Sequence, residues 1–306
     1  MRTPRLLLLL VTGATGAFVL PGAATVAAAP QQCAPWSQEV VAGGFGVLEN
    51  LGFDGRGNVL LSEQDLGGGP GAVRALGADG ARTTLADAVD GPGGIVVAGG
   101  TAYFTTGNTA SAAVGGQHTG TIDSVDLATG ARATVARGLQ MPNGLARLAN
   151  GDFVVSKDIG AGSMTRVSPD GTTTPFASAL TSTNGLAVDA PRDRLIVSTT
   201  FDPTTVIAAV DTTHPDTPIT RTELPGFGPL NSADDLTVDA DGTAYVALNV
   251  AGAVQQVDID TGHSCRIAEG LPLVSSVRFG TGPGWDPNSL YATSFLGTLT
   301  KLTPPR

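Results

Sequence analysis

Apolar and β-branched residues in this chain come in runs of about five, not in the long 3.6-residue patterns that an amphipathic helix needs. Runs at 58–62, 101–106, 152–156, 194–199, 243–248 and 289–294 each have turn-forming residues on both sides. After the N-terminal leader, no stretch longer than the 12 residues 230–241 lacks both Gly and Pro, which leaves little room for helices. A second short segment precedes each run, and the six share one frame: ENLGFD from Glu49, GGIVVA from Gly93, NGLARL from Asn143, NGLAVD from Asn184, DDLTVD from Asp234 and SSVRFG from Ser275. The starts lie 44, 50, 41, 50 and 41 residues apart, the spacing of four-stranded propeller blades.

The turns fit that frame. Asp54-Gly55, Asn150-Gly151 and Asp241-Gly242 join the first and second strands of their units, and Asp79-Gly80, Thr129-Gly130, Asp170-Gly171 and Thr261-Gly262 the third and fourth. The last unit, from Val274, has only three strands of its own. Residues 37–44 (SQEVVAGG) have the pattern of the other outer strands and would supply the fourth. The expectation is therefore an all-β chain: one six-bladed β-propeller over residues 29–306, its ring closed by an N-terminal strand completing the last blade, so that no free edge remains there.

Composition narrows the setting. Gly 42 and Pro 20 punctuate short elements, while a hydrophobic fraction of 42% provides for a sizeable core. Residues 1–28 read as a secretion signal peptide, with Arg2 and Arg5, an apolar run over 6–20 and a small-residue stretch up to Ala29. The expected location is extracellular, with no membrane association after cleavage. The whole chain carries a formal charge of −10, and removing the two leader arginines leaves 27 acids against 15 bases, or −12. Phosphate backbones would repel such a surface, so nucleic acid is excluded as a partner and a small-molecule substrate is expected. Two cysteines in an exported chain suit one disulfide, and Cys33 and Cys265 fall on neighbouring blades where a bridge would fasten the closure strand.

In a propeller the innermost strands line the axis in one direction, so Glu49, Gly93, Asn143, Asn184, Asp234 and Ser275 meet at one mouth of the channel. Two carboxylates and two carboxamides, without His or Cys, suit a hard divalent cation, Ca²⁺ first. The bland alternative makes Asn143-Gly144 and Asn184-Gly185 turn formers and Asp234 a loop cap. Asp235, next along the strand, should face away from Asp234 as a supporting acid. Loops between second and third strands share the mouth; they bring Phe201 and Phe295 as walls of an apolar pocket, and His118 as a group within reach.

Glu49, TNGLAVD at Asn184 and ADDLTVDADGTAYVA at Asp234 resemble the metal-binding positions of the SMP-30/gluconolactonase/LRE-like family, six-bladed calcium-dependent lactonases and related hydrolases. The resemblance covers most of residues 29–306. It implies that Glu49, Asn184 and Asp234 ligate the metal and that Asn143 either joins them or orients substrate. It also implies Asp234 as ligand and possible general base in lactone or ester hydrolysis. Family members acting on sugar lactones typically carry Arg two residues before the third-blade Asn; Met141 stands there, which argues against a polar sugar. Similar blades also occur in strictosidine synthase-like proteins, lyases and non-catalytic binding propellers with a structural ion, and these readings stay open.

Overall fold

The computed structural model describes residues 33–306 except 66, 68, 110–111, 113–114 and 160–163. The leader expectation falls outside these residues. Six four-stranded antiparallel sheets succeed one another, and five run in simple sequence order from the axis outward. Their inner strands are Val47–Phe53, Ile95–Ala98, Leu145–Arg147, Thr183–Asp189 and Ala233–Val238, and Val274–Phe279 opens the sixth. The sixth sheet takes Ser37–Ala42 as its outer strand, paired antiparallel with Thr298–Thr303. Ring closure thus joins the two ends of the described chain by backbone hydrogen bonds. Helix is confined to single turns such as Gly228–Asn231 among the described residues, and no helix there is long and apolar enough to cross a membrane.

The core lies between blades. Each apolar cluster combines one sheet's residues with those of the next; Leu236, Val246 and Leu248 of the fifth, for instance, pack with Ile196 and Ile207 of the fourth. A propeller sheet is covered on both faces, which is why its strands read as nearly continuous apolar runs instead of clean alternation.

Cys33 and Cys265 are bridged, with Cα atoms 5.6 Å apart across 232 residues of sequence. The bridge fixes the entry of the closure strand to the outer strand of blade five. Trp36 supports it, its amide donating to the Ile267 carbonyl at 2.7 Å and its ring lying 5.7 Å from that of Tyr245.

Candidate active site

Three devices place the channel residues. The first is a left-handed backbone kink two positions ahead of each in blades two to six: Gly91, Met141, Ser182, Ser232 and Leu273 have φ between 43° and 54°. Four of these are not glycine and would resist that conformation in isolation, so the ring's packing imposes it. The second is a register break in the first strand pair of blades one, four, five and six, spanning Glu49, Asn184, Asp234 and Ser275 respectively. A break of this kind re-aims a side chain out of strict alternation. The third is a hydroxyl on or just after the second strand of blades one to four that grips the next blade's channel residue by its carbonyl: Thr105 on Asn143 (2.8 Å), Ser198 on Asp234 (2.6 Å), and Ser62 and Ser156 on Gly93 and Asn184.

The glycines after the two asparagines serve close approach. Neither Gly144 nor Gly185 has a positive φ. A Cβ on Gly144 would lie 2.3 Å from the Asn184 carbonyl oxygen, and one on Gly185 would lie 2.6 Å from the Asp235 Cα. Asn-Gly here therefore marks crowding of neighbouring backbones at the axis, and the hairpin-turn explanation of these dipeptides does not apply. Blades one, five and six carry Asn50, Asp235 and Ser276 in the matching register, and these link to one another. Asn50 Nδ2 donates to Asp235 Oδ2 at 2.8 Å, Ser276 Oγ donates to the same oxygen, and Arg278 Nη1 pairs with it at 2.7 Å.

At the mouth, Glu49, Asn143, Asn184 and Asp234 are all at least nine-tenths buried. Loops add groups that sequence spacing did not single out. Asn108 donates to Glu49 Oε1 at 3.2 Å, and Asn249 to Asp234 Oδ2 at 3.3 Å. Asp158, from blade three, adds a third carboxylate that bears electrostatically on both acids. Burial, with the charges of Asp158 and Asp235 behind it, pushes the Glu49 carboxyl up to about 8, against partial relief from the Asn108 and Asn143 amides. Asp234 is raised by burial first and then by Glu49, Asp235 and Asp158. Burial likewise lifts Asp158 to about 6.

These residues fit a hard divalent cation. Asn184 Oδ1 and Asp158 Oδ1 are buried without a hydrogen-bond partner, a costly state that a coordinated ion or its water would relieve. The donor set is all oxygen and rests on carboxamides as well as acids; among the described residues, no three His, Cys, Asp or Glu side chains form a ligand cluster.

Crowded acids also set a pH dependence. A carboxyl whose pKa is raised by folding holds its proton more tightly in the native state, so its contribution to stability is complete below the unfolded pKa and is lost as pH rises through the folded value. For Glu49 and Asp158 the window runs from about 4 to about 8. Without divalent cation, stability measured by chemical denaturation is expected to fall by a few kcal/mol across it, and millimolar Ca²⁺ is expected to flatten the slope. A cation-free profile that rises over this range would contradict the crowding.

The other sequence candidates lie as follows. Met141 is buried in the kink before Asn143. Phe201 is 46% exposed, its amide held by Ser182 Oγ at 2.8 Å. Phe295 is half-buried, and its neighbour Leu296 is the exposed residue of that loop. His118 is exposed beside the outer strand of blade two, its Nδ1 3.3 Å from the Gly138 carbonyl oxygen. Ser275 turns its hydroxyl to the Leu48 carbonyl at 2.6 Å and so seals blade six to blade one. Asp235 is occupied by Arg278, Asn50 and Ser276, although its charge still reaches the two acids.

Residues 147–295 match the family described as SMP-30/Gluconolactonase/LRE-like region. This propeller is similar in fold to a gluconolactonase from Xanthomonas campestris, at 20% identity and a TM-score of 0.67 over 88% of this chain and 90% of that one. It is also similar to the calcium-binding protein regucalcin from Agrobacterium tumefaciens, at 16% identity and a TM-score of 0.67 over 89% and 95%. Virginiamycin B lyase from Staphylococcus aureus, at 11% identity and a TM-score of 0.60 over 88% and 99%, shares the architecture with a different chemistry in its name. No curated protein matches the chain.

Proposed function

We propose that this SMP-30/gluconolactonase-like chain is an exported, divalent-cation-dependent hydrolase of a lactone or related small ester. The observation that carries the reading is the buried all-oxygen mouth, where Glu49, Asp234 and Asn184 would hold the cation, Ca²⁺ first, and Asn143 would either join them or orient substrate. A bound cation supplies Lewis acidity toward a carbonyl oxygen and acidifies its water. The protein's own part is to exclude bulk water, to fix the channel residues through the hydroxyl–carbonyl contacts of blades one to four, and to offer a proton acceptor. Asp158, with Oδ1 unpartnered, suits that last role beside Asp234. The Cys33–Cys265 disulfide accords with an oxidising compartment.

A panel of lactones and small esters, assayed with chelator and again after Ca²⁺ is restored, tests the reading. Turnover that chelation lowers at least about 100-fold is expected, with Asp234→Asn losing both calcium affinity and hydrolysis by a similar factor. Absence of chelator-sensitive turnover on every member would instead favour a ligand-binding propeller with a structural ion.

A further inference from the structure

The exposed large hydrophobic residues are not scattered. Ile159, Phe201, Val250 and Leu296 are 41%, 46%, 55% and 58% exposed and occupy the same register, directly after the second strands of four consecutive blades, three to six. Blades one and two have Asp65 and Asn108 in that register. Phe227 and Leu230, 55% and 64% exposed in the crossover between blades four and five, add to the same end of the propeller, where the Gly228 amide donates to the Pro203 carbonyl of the Phe201 loop. Four of the six blades therefore give the mouth an apolar crescent and the other two give it a polar arc.

The crescent is continuous with the channel and leads somewhere. Ile159 adjoins Asp158, Val250 adjoins Asn249 on Asp234, and the Phe201 amide sits on Ser182, two residues before Asn184. At its blade-six end, Leu296 is shared with a cleft of about 250 Å³ whose walls include Val40, Leu271, Pro272 and Val274. The cleft lies between blades five and six and is bordered by Gln38 and Val40 of the closure strand, so Leu296 is the residue that the crescent and the cleft share.

We infer that the substrate is amphiphilic, an ester or lactone whose carbonyl sits at the channel mouth while a hydrocarbon tail crosses Leu296 into this cleft. The inference rests on the hydrolase reading above. Exposed apolar area of this extent beside a polar site marks a binding surface. A bilayer is the poorer occupant, because a chain with a formal charge of −10 is repelled by an anionic surface.

The test uses γ-lactones with ethyl and hexyl tails, four methylenes apart, and, in parallel, calorimetry with the matching 4-hydroxyalkanoate products. A methylene is worth about fourfold when fully buried and about twofold when half-buried, so the longer tail is expected to gain at least about tenfold in kcat/KM and in affinity. Leu296→Ser and Val40→Ser, both at exposed positions, are expected to shrink that gain to less than about threefold. Val135→Ser, on the outer strand of blade two, is expected to retain it. Turnover with no dependence on tail length would overturn the inference and leave the hydrolase standing. Tail-dependent binding without turnover on either lactone would support the crescent and sink the hydrolase. Flat affinity together with binding to phosphatidylcholine vesicles that Leu296→Ser abolishes would reassign the crescent to a lipid surface and overturn the proposal.

Discussion

Arg278→Met is expected to destabilise the protein by about 3–5 kcal/mol, because it strands the Asp235 carboxylate, 3% exposed, without its cationic partner. Asp235 Oδ2 gathers Arg278, Asn50 and Ser276, so one acid ties together blades five, six and one, where the ring is closed by non-consecutive chain. Asn50 extends the link to blade two through the Ile95 amide at 3.4 Å. Asp235→Ala removes the hub, strips Asn50 Nδ2 and Ser276 Oγ of their acceptor and leaves Arg278 only the Leu236 and Val277 carbonyls, at a comparable cost. For a domain of this size the melting temperature should drop by roughly 10 °C. The double replacement Asp235→Leu with Arg278→Met should recover part of the loss, since it removes both charges together. Guanidinium unfolding followed by the fluorescence of Trp36 and Trp285 would read the effect; a single-variant loss below about 1 kcal/mol would mean that water or another group compensates the acid.

The paired replacement Cys33→Ser/Cys265→Ser is expected to cost about 3–5 kcal/mol. The bridge closes a 232-residue separation, and the entropic stabilisation of a disulfide grows with the loop it encloses. Its removal should act first on the closure strand, whose noncovalent anchors are the Trp36 amide on Ile267, the Gln38 side chain on Glu269 and the pairing with Thr298–Thr303. Hydrogen exchange should therefore accelerate at Ser37–Ala42 before the inner strands lose protection. Uniform loss of protection across the six blades would indicate that closure and the remaining ring unfold as one unit.

Within residues 33–306, much of this architecture was legible in the amino-acid order. Short apolar runs bounded by turn residues, repeating at blade-length intervals, specify strands, and the incomplete sixth unit together with the spare segment at residues 37–44 specifies how the ring shuts. The shared frame also brings out Glu49, Asn143, Asn184 and Asp234, because repeats that stack about an axis put equivalent positions side by side. Loop contributions escaped that logic. Asp158, Asn108 and Asn249 lie beyond the ends of regular strands, where no period dictates direction, and their bearing on Glu49 and Asp234 follows only from folded geometry. The role of Gly144 and Gly185 was equally invisible, since Asn-Gly looks the same whether a turn or a neighbouring backbone requires it. Sequence by itself determined the number of blades, their order and which polar residues face the axis, all consequences of local periodicity. Tertiary structure alone decided the tilt of each channel residue, the company of its charge and the apolar crescent of the mouth, because these depend on distances between segments that the chain brings together only when the ring is closed.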